Sequence, residues 1–67
     1  MTDLTSLTGA ELSLVIELLE RERFELPTEI HHTRTASLRD DLRRRVEMVD
    51  RLLERLRRTA GSQAAAA

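Results

Sequence analysis

The sequence predicts an all-α protein: an antiparallel helical hairpin that dimerises into a four-helix bundle. Three features carry this expectation. A capping box opens one run of helical periodicity, a second run carries a heptad seam, and a single proline lies between them. The chain of 67 residues has room for one small domain. Of its hydrophobic residues seven are alanine, which leaves 20 large apolar side chains to build a core, and no cysteine is present to staple one. Chains of this size usually need a disulfide, a metal or a partner subunit to reach useful stability.

The first helix is expected over about 8–25. Thr8 followed by Glu11 forms the capping box, the hydroxyl accepting from the N3 backbone N–H while the carboxylate reaches back to the cap's own N–H, and Leu7 and Leu12 stand where a hydrophobic staple belongs. Leu12, Val15, Ile16 and Leu19 then recur at the 3, 4 and 7 spacing of one helical face. The helix is expected to stop near Glu25, because Leu26 precedes Pro27 and the ring crowds the preceding residue out of the α region.

A connection over 26–36 follows. Leu26 and Ile30 are large apolar residues, so this segment is expected to lie ordered across the open end of the hairpin instead of hanging free. The second helix is expected over about 37–60, capped by Ser37, with Thr35 as the alternative and with Asp40 and Asp41 near the positive end of the dipole. Leu42, Val46, Val49, Leu53 and Leu56 step by 4, 3, 4 and 3, a heptad seam. Arg55, Arg57 and Arg58 suit a last turn, and Gly61 suits the stop. On this reading the domain spans 1–60, and residues 61–67 form a flexible tail.

The width of the apolar faces predicts the dimer. Leu7, Leu14 and Leu18 lie on a flank beside the first helix's seam, and Leu38, Met48 and Leu52 widen the second. One partner helix covers one seam, so the flank would stay exposed unless another chain covers it. The candidate interface is therefore Leu7, Leu14, Leu18 and Leu52, with the chain itself as first partner and another protein as a second.

Net charge is −1, but its distribution is uneven: residues 1–33 hold seven acids and two arginines, residues 34–67 nine arginines and five acids. Such asymmetry marks some nucleic-acid arms, yet it also favours folding one half against the other. Asp40–Arg44, Asp41–Arg45, Glu47–Arg51 and Glu54–Arg58 are i to i+4 pairs in the favourable acid-first order, and no tyrosine or tryptophan is present to stack on a base. A small RNA- or DNA-binding bundle using the arginines of the second helix is thus the alternative to a protein-interaction module. Arg23 falls on the first helix's seam, where it is expected to set register or face a glutamate of another helix.

No nucleophile stands in a recognisable motif and a two-helix hairpin offers no deep cleft, so neither catalysis nor a cofactor is expected. Adjacent histidines do not converge on one ion, so no metal site is expected either. The first ten residues lack the basic and apolar regions of a secretory signal, and no run approaches a membrane span, so a cytoplasmic location without membrane contact is expected.

The candidate recognition residues are Glu29, Ile30, His31 and His32 in the connection. The run Glu17-Leu-Leu-Glu-Arg-Glu-Arg-Phe-Glu-Leu-Pro-Thr-Glu-Ile-His-His-Thr, followed by Leu38-Arg-Asp-Asp-Leu-Arg-Arg-Arg-Val, resembles a group of short bacterial proteins without an assigned function that pair two helices around an "LPxEIxHT" connection. The resemblance covers about residues 8–58. It implies that Leu26, Pro27, Glu29, Ile30, His32 and Thr33 act as a unit, and it implies no activity.

Overall fold

The computed structural model of the chain describes residues 6–66. Two helices, α1 (Gly9–His32) and α2 (Ala36–Ala66), pack against each other through a turn of three residues, and no strand occurs among the described residues. Among the described residues no helix is long and apolar enough to cross a membrane.

α1 begins where the capping box places it. Thr8 is extended (φ −69°, ψ 163°), its hydroxyl accepts from the Glu11 N–H at 3.1 Å, and its own N–H donates to Glu11 Oε1 at 2.9 Å. The helix does not end near Glu25. It runs through Pro27 to His32, so the expected connection over 26–36 is two turns of helix followed by Thr33–Thr35. The energetics account for the difference. A proline inside a helix costs about 3 kcal/mol, through a lost hydrogen bond and a clash with the preceding turn. Leu26 is fully buried and Ile30 half-buried on the same heptad stripe, and a fully buried side chain of this size is worth about 1.5–3 kcal/mol. Ending the helix at Glu25 would forfeit both.

The stripe of α1 is continuous: Leu12, Ile16, Leu19, Arg23, Leu26 and Ile30 step by 4, 3, 4, 3 and 4. Thr33 then closes the helix from an extended conformation, its N–H donating to the Ile30 carbonyl at 3.3 Å and its hydroxyl to the Glu29 carbonyl at 2.6 Å.

α2 starts one residue earlier than Ser37. Thr35 occupies the cap position, its carbonyl accepting from the Arg39 N–H at 3.0 Å, and Ser37 is exposed in the first turn. Asp40 and Asp41 consequently fall beyond the first turn and pair with Arg43 and Arg44 at i to i+3 (3.4 and 3.6 Å) instead of holding the dipole or pairing one residue further on. Nor does Gly61 stop the helix. It has no positive φ, and α2 continues to Ala66, so the expected tail is helical as far as it is described. Glycine stops a helix by adopting the left-handed conformation, and here the residues that follow, Ser62, Gln63 and an alanine run, favour continuing. Residues 1–5 of the expected domain and Ala67 of the expected tail lie outside the described residues.

The core is a single seam. Leu26, Val49 and Leu53 form its buried cluster, with Ile16, Leu19, Leu42 and Val46 packed around it, and Leu12 and Leu56 are buried as well. Three ion pairs cross between the helices: Glu20–Arg57 at 3.1 Å, Arg23–Asp50 at 2.7 Å and Glu22–Arg45 at 2.7 Å. Low numbers in α1 meet high numbers in α2, which makes the hairpin antiparallel. Arg23 thus faces an aspartate, Asp50, on α2 of its own chain, and not the glutamate expected.

Candidate interaction surface

The interhelical ion pairs divide the hairpin into two broad faces, because residues three, four or seven apart on a helix share a side. Glu22 and Arg45 touch on one face. One and two turns before Glu22 come Leu18 and Leu14; three and seven residues beyond Arg45 come Met48 and Leu52, and seven before it Leu38. Leu14 and Leu18 are each 54% exposed, Leu38 53% and Met48 61%, while Leu7 and Leu52 are half-buried. Of the expected interface, the structure therefore leaves Leu14 and Leu18 open and covers part of Leu7 and Leu52. Met48 and Leu38 join them; their place beside the α2 seam was the signal in the sequence.

The opposite face is polar and carries the chain's one phenylalanine. Glu20–Arg57 and Arg23–Asp50 lie here, and Glu20, Arg23, Phe24, Pro27, Leu53 and Arg57 line an open groove of about 460 Å³. Phe24 is 84% exposed, in keeping with its projection onto the polar side of α1.

The candidate recognition residues lie on the last turns of α1 and not in a loop. Ile30 turns toward the seam and is half-buried, whereas Glu29, His31 and His32 are exposed. The two imidazole rings meet edge to face, their centroids 5.5 Å apart. Both histidines stand in the last turn of α1. Among the described residues no group of three or more His, Cys, Asp or Glu side chains could hold a metal ion.

Most arginines are engaged. Seven of the eleven are in ion pairs: Arg23, Arg45 and Arg57 reach across to α1 or α2, while Arg43, Arg44, Arg51 and Arg58 pair within α2. Among the described residues, Arg39 and Arg55 are the arginines of α2 that form no ion pair. Arg39 continues the seam toward the turn, and its Nε is buried without a hydrogen-bond partner. In the capping box, the Thr8 backbone N–H, and secondarily its hydroxyl, hold the Glu11 carboxyl below the ordinary glutamate value.

Set against protein-family models, curated proteins and solved structures, the chain matches none of them.

Proposed function

We propose that the chain is a small protein-interaction module that works as a homodimeric helical bundle, its leucine face closed by a second copy. The observation that carries this reading is the pair Leu14 and Leu18, more than half exposed beside Met48 and Leu52 on a chain with a one-seam core. Contiguous apolar surface of this kind on so small a chain marks an interface. Dimerisation would bury it and supply the stability that a single seam does not. The polar face, with Phe24 at its edge, and the end that carries Glu29, His31 and His32 would then remain free for other proteins.

The double variant Leu14→Glu/Leu18→Glu tests this. Wild type should elute at the dimer position on a sizing column, and the variant as a less stable monomer; an unchanged elution position would contradict the reading. Nucleic-acid binding through α2 is the alternative, and the ion pairs weigh against it because they occupy most of the cations a phosphate backbone would need. Such binding would fall steeply with salt, whereas an apolar dimer would not.

A further inference from the structure

We propose that the second copy is related by a two-fold axis running along the bundle, so that both turns lie at one end and α1 of each chain runs antiparallel over α2 of the other. This rests on the dimeric reading above and adds its orientation. Two hairpins meeting face to face about a two-fold axis have two arrangements open to them. An axis along the helices lays α1 on the other chain's α2 and keeps the turns together. An axis across the helices lays α1 on α1 and α2 on α2, with the turns at opposite ends.

Charge separates the two. α1 carries six glutamates against two arginines, and α2 eight arginines against five acids. The crosswise axis stacks like on like along both layers, and juxtaposed like charges disfavour a pairing. The lengthwise axis lays the acidic helix on the basic one in both layers.

The register agrees. The intrachain pairs Glu20–Arg57, Arg23–Asp50 and Glu22–Arg45 place Leu18 at nearly the height of Leu52, and Glu25 at nearly the height of Arg45. With the turns together these heights carry over to the second copy unchanged. Leu18 then meets Leu52 of the other chain, and Glu25, which has no ion partner among the described residues of its own chain, comes level with Arg45 of the other. With the turns apart, heights invert about the middle of the leucine face and Leu14 is carried toward Glu22 and Glu25 of the opposing α1. That leaves carboxylates against leucine with no cation beside them. The same-end arrangement also gathers Glu29, His31 and His32 of both copies at one end, a single two-fold recognition surface in place of two distant ones.

Arg34 is exposed in the turn and forms no ion pair among the described residues, and the chain contains no cysteine, so Arg34→Cys accepts one spin label per chain. Pulsed dipolar spectroscopy on the labelled full chain should give an inter-label separation comparable with the 22 × 15 Å cross-section of the hairpin. A separation approaching its 48 Å length would overturn the orientation and leave the dimer standing. No inter-label signal, together with a monomeric mass for the same sample, would overturn the dimeric reading itself. Ser37→Cys, exposed in the first turn of α2, repeats the measurement from a second site should labelling at residue 34 disturb the turn.

Discussion

Glu11 is the residue whose chemistry follows most directly from its sequence position. Its carboxylate accepts from the Thr8 N–H and its own N–H donates to the Thr8 hydroxyl, so the charged form is favoured and its pKa is lowered. A carboxyl whose pKa is depressed on folding contributes stability above its unfolded value and loses that contribution as pH falls through its folded value. A carbon-detected NMR titration should therefore find the Glu11 carboxyl titrating below the ordinary glutamate value, and α1 fraying at its start as Glu11 protonates. Titration at the ordinary value would mean that the box is open in solution. The spacing Thr8-x-x-Glu11 was enough to read this site. The partner of Arg23 was only half legible: the seam position suggested a glutamate of another helix, but the partner is Asp50, 27 residues away, and only the register of the folded hairpin brings it to 2.7 Å.

At the scale of the helix, the start of α1 and the α2 seam were legible because capping and heptad spacing are local. The ends were not, because they are decided by burial against the other helix. The residue before a proline avoids the α region as a preference of the isolated chain, and the burial of Leu26 and Ile30 outweighs it. The continued stripe through Arg23, Leu26 and Ile30 was the sequence's signal for the longer helix. It follows that Pro27, exposed and without an N–H for the Arg23 carbonyl, weakens a helix that forms despite it. Pro27→Ala should raise stability by about 2–3 kcal/mol, read as a higher urea midpoint at unchanged m-value; an unchanged midpoint would mean that α1 ends before residue 27. Gly61 offers a parallel test on α2. Its φ is not positive and nothing lies within 4 Å of where a Cβ would sit. Gly61→Ala should therefore stabilise the end of α2 by up to about 1 kcal/mol, visible as greater helicity by circular dichroism. A loss of helicity would place Gly61 in the left-handed conformation of a helix stop after all.

At the scale of the whole molecule, the hairpin is a flat pair of helices whose single seam buries few side chains and whose two faces differ in kind. One carries Leu14, Leu18, Met48 and Leu52 around the Glu22–Arg45 pair; the other carries Phe24 and two ion pairs beside an open groove. That an uncovered leucine flank would exist was legible from the projected width of the helices. Which α2 residues complete it was not, because that depends on the interhelical register. The central claim is that this flank is a dimer interface, and sedimentation equilibrium of the wild-type chain tests it most directly. At micromolar concentration the mass should be twice the 7.7 kDa of one chain, with the melting temperature rising as protein concentration rises. A mass of one chain, with a cooperative melt independent of concentration, would contradict the account.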